Sequence, residues 1–131
     1  MLDDIVECLS SSKGATVIGI EVVASCQMLR VAFDNEISLE LSGGWLYGDS
    51  TKVVFGAMDI GFFFGSDEEL LAVMEEDERR CLSKLAGLNG LKLQEVEYSD
   101  NCLTLNLSKS RNVRWYCLSR EQLGIRVLNN A

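Results

Sequence analysis

Carboxylates carry most of the potential chemistry of this sequence, because histidine is absent and 20 acidic residues stand against 12 basic ones. Without histidine, a Ser-His-Asp triad, a Cys-His pair and a histidine-based metal site are excluded. Two carboxylates work as general acid and base only where their environments separate their pKa values. Asp59 is the candidate for such work, since it lies between two apolar segments where burial would raise its pKa. A loop aspartate that accepts backbone hydrogen bonds is the simpler interpretation of Asp59.

Other patterns that carry chemistry are missing from the sequence. The five cysteines have no C-x-x-C spacing, which favours reduced and partly buried thiols over a zinc or redox site. The glycines form neither a dinucleotide-binding loop nor a P-loop, and no acidic run has the spacing of an EF-hand. We therefore expect no cofactor and no metal. A small basic and aromatic group has the composition of a nucleic-acid patch, and salt bridges on a strand surface explain it as well; it contains Arg111, Arg114, Trp115, Tyr116 and Arg120.

The net charge of −8 argues against nucleic acid or an anionic membrane as the main partner, because both require clustered positive charge. The charge is also uneven along the chain. Residues 1–78 hold 16 acidic and 3 basic residues, a balance of −13. Residues 79–131 hold 4 acidic and 9 basic residues, a balance of +5. We expect the folded molecule to have one strongly negative face.

The elements that position these residues are read from the apolar periodicity. A short N-terminal helix is predicted, followed by a strand run over 14–55 and a second strand run over 91–128, because apolar and polar residues alternate there. Asp34-Asn35 predicts a hairpin turn in the first run. The N-terminal helix is indicated by apolar residues at i, i+3, i+4 and i+7, which are Leu2, Ile5, Val6 and Leu9.

The clearest helix is predicted over 66–86. Ser66 and Glu69 form a capping box at its start, and Gly87 is suited to a left-handed position after its end. Two i, i+4 ion pairs are predicted on its surface, Glu75 with Arg79 and Glu76 with Arg80. Its apolar stripe contains Leu70, Leu71, Met74, Cys81, Leu82 and Leu85.

Together these elements predict one α+β domain over 1–131, in which an antiparallel sheet packs against the long helix. The two strand runs look alike, because Met28–Phe33 can be laid on Cys102–Leu107 and each run contains a tryptophan, Trp45 or Trp115. A degenerate two-fold repeat of β-meanders explains this likeness, and so does the similarity of any two amphipathic strand pairs. The sequence leaves both explanations open.

The N-terminus has neither the basic region nor the apolar core of a secretory signal, and no stretch approaches the length of a membrane span. We therefore expect a cytoplasmic protein. The aromatic segment 61–65, with Phe62, Phe63 and Phe64, packs under the helix or, if exposed, anchors a protein partner.

One stretch resembles small bacterial immunity proteins of contact-dependent growth inhibition and related polymorphic toxin systems. The resemblance rests on the strand pattern from Ile18 to Leu39 and on Gly44-Trp45-Leu46-Tyr47, with a weaker likeness over 91–117. It implies a non-catalytic cytosolic protein that binds one cognate toxin domain and blocks its active site. Such toxins are commonly nucleases with basic clefts, which an acidic inhibitor fits by charge complementarity.

We therefore predict an immunity protein, not an enzyme, whose partner is a toxin domain and neither nucleic acid nor membrane. Two alternatives stay open: an adaptor domain that uses the aromatic segment 61–65, and a hydrolase or isomerase centred on Asp59. The predicted partner-binding residues are Asp34 and Glu36 of the hairpin, with Asp67, Glu68, Glu75, Glu76 and Glu78 of the helix.

Overall fold

The computed structural model describes residues 2–60, 68–117 and 124–129. Within these ranges the chain is an α+β structure with two antiparallel sheets, one long helix and a short N-terminal helix, which confirms the predicted fold class. The helices are α1 (Leu2–Ser10) and α2 (Glu68–Leu85). The strands are β1 (Val17–Val23), β2 (Met28–Phe33), β3 (Ile37–Ser42), β4 (Gly44–Asp49), β5 (Lys52–Gly56), β6 (Leu93–Ser99), β7 (Cys102–Leu107), β8 (Arg111–Tyr116) and β9 (Ile125–Asn129).

The strands form because their apolar residues alternate, so that one face of each sheet enters a common core. β2 and β7 show this most simply, since every second residue of each is buried. The core-facing residues of these two strands are Leu29, Val31, Phe33, Leu103, Leu105 and Leu107.

The two strand runs do not form one sheet, and neither run keeps all its strands together. Sheet A has the order β1-β2-β3-β9, and sheet B has the order β5-β4-β8-β7-β6. The strands that follow β3 and β8 are thus exchanged: β4 leaves the first run to pair with β8 and has β5 beside it, and β9 leaves the second run to pair with β3. Gly43 allows β4 to leave the first run, because its φ of +85° is accessible to glycine and unfavourable for residues that have a side chain.

Backbone hydrogen bonds relate the two halves by an approximate two-fold operation. Gly14 N donates to Leu93 O at 2.7 Å, and Gly90 N donates to Val17 O at 2.8 Å. Gly90 follows Gly14, and Leu93 follows Val17, by the same number of residues (90 − 14 = 93 − 17 = 76), so the second bond repeats the first with the two halves exchanged. β1 and β6 each have seven residues and a register shift after the first. The structure therefore contains an internal repeat, which settles the alternative that the sequence left open.

The repeat does not relate the two tryptophans, which the sequence had suggested as equivalents. Trp45 and Trp115 face each other across the β4–β8 pair. The helices do follow the repeat: α1 packs against β6, and α2 packs against β1. Leu9 and Leu85 are fully buried at matching places in these two helices.

α2 buries a narrower stripe than its sequence predicts. Cys81 and Leu85 are fully buried, whereas Leu71 is 54% exposed. Leu71 is turned about 100° from Leu70, beyond the stripe that points into the core. The predicted capping residue Ser66 lies outside the described residues. Gly87 is not left-handed; it lies in a 3₁₀ turn, where a side chain would meet the Tyr47 hydroxyl at 2.9 Å.

Candidate functional site

The outward face of α2 has four glutamates that are exposed to solvent, Glu68, Glu69, Glu75 and Glu76. Within the described part of the chain, none of them forms an ion pair. The two predicted i, i+4 pairs are therefore not formed. Their carboxylates face solvent outside ion-pair distance of any described base, although Arg79 is exposed on the same face of the helix.

Arg80 is unavailable to Glu76 because it faces the body of the protein. Its Nη2 donates to Asp59 O at 2.7 Å, and its Nε donates to Asp77 Oδ1 at 2.9 Å. Its guanidinium also lies 5.9 Å from the centre of the Phe55 ring. The hydrogen bond with Asp77 raises the pKa of Arg80, against a smaller opposing effect of burial. Arg80 thus ties α2 to the turn after β5 and leaves the outer glutamates unpaired.

Two exposed apolar side chains flank these glutamates. Leu71 is 54% and Val73 is 52% exposed. Because they are two residues apart in the helix, they are turned about 200° from each other and lie on opposite sides of the glutamates. We call this surface the acidic face; it comprises Glu68, Glu69, Leu71, Val73, Glu75 and Glu76.

Two further predicted helix positions, Glu78 and Asp67, are not part of the acidic face, and neither is Asp77, which was not predicted. Glu78 is half-buried, on the side of α2 that turns toward the body. Asp77 is also turned inward, with 14% of its side chain exposed. Asp67 lies outside the described residues.

The predicted hairpin acids are not next to the acidic face. Asp34 Oδ1 accepts a hydrogen bond from Thr16 N at 3.0 Å, which places the hairpin at the start of β1. The end of α2 leads through Gly90 back to Val17 at this same end. The beginning of α2 therefore lies toward the far end of β1, about 20 Å away for seven extended residues. Glu36 is exposed, so the hairpin and helix acids form two surfaces rather than one.

Asp59 is exposed, contrary to the expectation of burial that its apolar neighbours raised. Its Oδ2 accepts a hydrogen bond from Gly56 N at 2.8 Å, at the start of the 3₁₀ turn Ala57–Asp59. Asp59 is therefore a loop aspartate that accepts a backbone hydrogen bond, which was the simpler of the two interpretations of the sequence. The aromatic residues Phe62, Phe63 and Phe64 lie outside the described residues, so their role stays a prediction.

A buried acid that the sequence analysis missed is Glu40, which is 5% exposed. Its Oε2 accepts Arg30 Nη2 at 2.7 Å, and its Oε1 accepts Arg126 Nε at 2.9 Å. Arg30 also bonds Glu21 at 2.9 Å, and strand register places all four side chains in one row across sheet A. The hydrogen bond from Arg30 is the largest cause that holds the pKa of Glu40 below its ordinary value. The alternation of polar and apolar residues predicts charged side chains on the outer face of a strand. Only the register of the strands identifies which of these side chains pair.

Two members of the basic and aromatic group, Arg111 and Trp115, are held by internal contacts, whereas Tyr116 is 36% exposed. Arg111 Nη1 donates to the Tyr47 hydroxyl at 2.7 Å, and Trp115 is 2% exposed. Trp115 therefore offers no open ring for a base to stack on, and Arg120 lies outside the described residues.

Among the described residues, no three Cys, Asp or Glu side chains come together in a group that could hold a metal. The five cysteines are free, and burial raises the pKa of the Cys81 thiol. In the described ranges, no helix has the length and apolar character needed to cross a membrane.

Comparison with protein-family models, curated proteins and solved structures found no match to this chain. The functional interpretation therefore depends on the acidic face and its surroundings.

Proposed function

We propose that this chain is an immunity protein that binds a cognate toxin domain through the acidic face and blocks its activity. The observation that carries the proposal is the set of four exposed glutamates, which form no ion pair with a described base and have exposed Leu71 and Val73 on either side. The partner is a protein with a basic cleft, as in a nuclease, and the complex forms in the cytoplasm.

Electrostatics supports this choice of partner. Unpaired carboxylates on one face attract a basic surface over long range and raise the association rate, an effect that added salt screens. Contact with the partner would bury the exposed apolar side chains of Leu71 and Val73 and release water from them, which slows dissociation of the complex. The glutamates therefore set the rate of association, and the apolar pair slows dissociation.

A second candidate function is an adaptor domain that uses the segment 61–65. Exposed apolar residues precede this segment, since Met58 is 75%, Val53 48% and Val54 43% exposed. They would extend the contact area of an aromatic anchor.

Toxicity rescue separates these functions. The toxin domain is taken from the upstream neighbouring gene and expressed in cells together with this chain. The test variant carries Glu75→Lys and Glu76→Lys. The matched control carries Glu36→Lys and Glu97→Lys, which reverse two exposed acids elsewhere. Each reversal adds two charges, so both variants have a net charge of −4 in place of −8.

The proposal predicts that the wild type and the control restore growth and that the test variant does not. Binding of the purified toxin domain should weaken by at least about tenfold in the test variant. Rescue that survives the test variant but fails in Phe63→Ala/Phe64→Ala favours the adaptor surface. Absence of rescue by the wild type contradicts the immunity function.

A further inference from the structure

Exposed apolar side chains lie close together where β5 leads into the 3₁₀ turn Ala57–Asp59. Met58 is 75% exposed in this turn, and the exposed residues Val53 and Val54 precede it on β5. Four residues span at most about 14 Å, so Val54 is no farther than that from Met58. We call this surface the Met58 corner; it comprises Val53, Val54 and Met58. Apolar residues exposed together are more typical of a contact surface than single ones are.

The backbone that carries Met58 is held by its neighbours. Ala57 and Ile60 are each 1% exposed and anchor the turn in the core. The Asp59 carboxylate accepts a backbone N–H at 2.8 Å, and Asp59 O accepts Arg80 Nη2 at 2.7 Å. Binding through such a turn costs little backbone ordering, while the flexible thioether of methionine adapts to the surface that it meets.

Helical geometry connects the Met58 corner with one side of the acidic face. At 100° per residue, four side chains of α2 fall within about 60° of one another: Glu69, Val73, Glu76 and Arg80. We call these four residues the Arg80 row. It is about 17 Å long and ends at Arg80, which bonds the residue next to Met58.

The rest of the acidic face is turned away from this row. Glu68, Leu71 and Glu75 point more than about 100° away from its centre. One partner surface can therefore cover the Arg80 row together with the Met58 corner, and it leaves Leu71 on the far side of the helix. The apolar centre of such a contact is Met58 with Val73, rather than Val73 with Leu71.

The edge of β5 is poorly suited to a further strand. The register between β4 and β5 shifts between Tyr47 and Gly48, which leaves Val54 with no residue opposite it. An irregularity of this kind twists a sheet edge and interrupts the regular spacing of its outward N–H and C=O groups. Strand addition, including pairing with a second copy of this chain, is therefore disfavoured, and the occupant is bound through side chains.

The charges at the beginning of the Arg80 row favour a basic occupant. Glu69 and Glu76 are exposed there and form no ion pair with a described residue. The exposed base of this part of α2, Arg79, is turned about 100° from Arg80 and lies beside the row. The row therefore presents its two carboxylates to a partner without a base between them.

The charges near Met58 favour an apolar contact instead. Arg80 pairs with Asp77 at 2.9 Å, so that together with the exposed Asp59 carboxylate the three groups sum to −1. Two exposed lysines mark the borders, Lys52 at the start of β5 and Lys84 one turn beyond Arg80. A complementary partner has bases opposite the glutamates of the row, an apolar pocket opposite Met58, and no base at either border.

We infer that Met58 is the apolar anchor of the complex with the toxin domain, which covers the Arg80 row and the Met58 corner as one surface. The inference rests on the proposed function and specifies its contact. The basic surface of the toxin domain faces Glu69 and Glu76, and an apolar pocket beside it receives Met58. A contact that reaches from Glu69 to β5 fits within a standard interface, which is on the order of 30 Å across.

Binding kinetics of the purified toxin domain from the upstream neighbouring gene test the anchor. Met58→Ser should raise the dissociation rate constant at least about tenfold and leave the association rate constant nearly unchanged. Met58→Leu should stay within about threefold of the wild type, because leucine keeps the apolar volume. The matched control is Ile18→Ser, an apolar side chain 64% exposed on β1 of sheet A, which should not change dissociation. Equal thermal unfolding of these variants verifies that they fold.

Two variants of equal charge test which side of the acidic face is covered. Glu69→Lys/Glu76→Lys reverses the two glutamates of the Arg80 row, and Glu68→Lys/Glu75→Lys reverses two exposed glutamates outside it. Both have a net charge of −4 in place of −8, so their long-range attraction to a basic partner is nearly equal. We expect the first variant to weaken binding at least about fivefold more than the second, because only its residues lie in the contact.

Failure of the inference differs from failure of the proposed function. Unchanged dissociation in Met58→Ser, or equal losses of binding in the two glutamate variants, would overturn the inference and leave the immunity function standing. Absence of binding by the wild type would contradict both. Faster dissociation in Met58→Ser, with both glutamate variants binding as the wild type does, would contradict the acidic face and with it the single surface inferred here.

Discussion

Thr16 and Lys92 face each other in an isolated antiparallel bridge, where the two halves of the chain meet. The backbone N–H of each residue donates a hydrogen bond to a side chain of its own repeat. Thr16 N donates to the Asp34 carboxylate at 3.0 Å, and Lys92 N donates to the Ser108 hydroxyl at 2.9 Å. Asp34 and Ser108 are thus equivalent residues that hold the first strand of each repeat in place.

Asp34 is therefore expected to contribute to stability more than to partner binding. Asp34→Ala removes the acceptor of Thr16 N and should lower the free energy of unfolding by about 1 kcal/mol. Urea denaturation measures this loss. Glu36→Ala, at the exposed position two residues later, is the control and should change stability by less than about 0.5 kcal/mol. Equal effects of the two substitutions would show that the Asp34 bond does not stabilise the repeat.

Arg80 and Arg79 are adjacent in sequence but differ in their contacts. Arg80→Gln loses the contacts with Asp77, Asp59 O and the Phe55 ring, which should cost about 1–2 kcal/mol of stability. Arg79 is exposed and forms no ion pair with a described residue, so Arg79→Gln should be close to neutral. Thermal unfolding of both variants at equal ionic strength provides the comparison. A larger loss of stability for Arg79→Gln would mean that Arg79 neutralises part of the negative charge of the acidic face.

Glu40 should make the stability of sheet A depend on pH. The bonds from Arg30 and Arg126 hold the folded-state pKa of Glu40 below its ordinary value of 4.5. A lowered pKa in the folded state gives stabilisation that is complete above the unfolded-state pKa and lost as pH falls through the folded value. Glu40→Gln should therefore cost about 2 kcal/mol near pH 7, and this difference should shrink as the pH falls below the unfolded-state pKa and through the folded-state pKa.

Chemical denaturation of the wild type and Glu40→Gln across this pH range tests the prediction. Glu21→Gln is the control, because Glu21 bonds the same arginine but 65% of its side chain is exposed. It should cost less than about 0.5 kcal/mol at any pH. A difference between the wild type and Glu40→Gln that stays constant on acidification would show that the ion row does not titrate as described.

Gly124 should be required for β9 to reach β3. A Cβ at this position would lie 2.5 Å from Ser42 O, a backbone atom that cannot move aside freely. Gly124→Ala should therefore cost about 1–3 kcal/mol and increase amide exchange in β9. Gly19→Ala is the control, since its Cβ would meet only Ala32 Cβ at 3.8 Å. Unchanged stability of Gly124→Ala would contradict the exchange of β9 into sheet A.

The fold class follows from the sequence because alternation and helical periodicity are local properties. β2 and β7 were assigned correctly, since every second residue of each is apolar. Strand pairing is not local: nothing in the residues around Ile125 or Trp45 specifies that each strand pairs with the other repeat. The repeat is visible in hydrogen bonds such as Gly14 to Leu93, which involve the backbone and leave little trace in side-chain identity.

The candidate site was partly predictable for the same reason. Helical periodicity alone places Glu75 and Glu76 on the outside of α2. It does not reveal that Arg80 turns inward to Asp59 O, a residue 21 positions earlier in the chain. The buried Glu40 was missed because its partners Arg30 and Arg126 are brought together by register.

Hydrogen exchange of this chain with and without the proposed partner, the toxin domain from the upstream neighbouring gene, tests the central claim most directly. Binding at the acidic face predicts that amides of residues 68–80 exchange at least about tenfold more slowly in the complex. The hairpin around Glu36 should be unaffected, because it lies at the start of β1, about 20 Å from the beginning of α2. Slowed exchange confined to that hairpin, with α2 unchanged, would contradict the account.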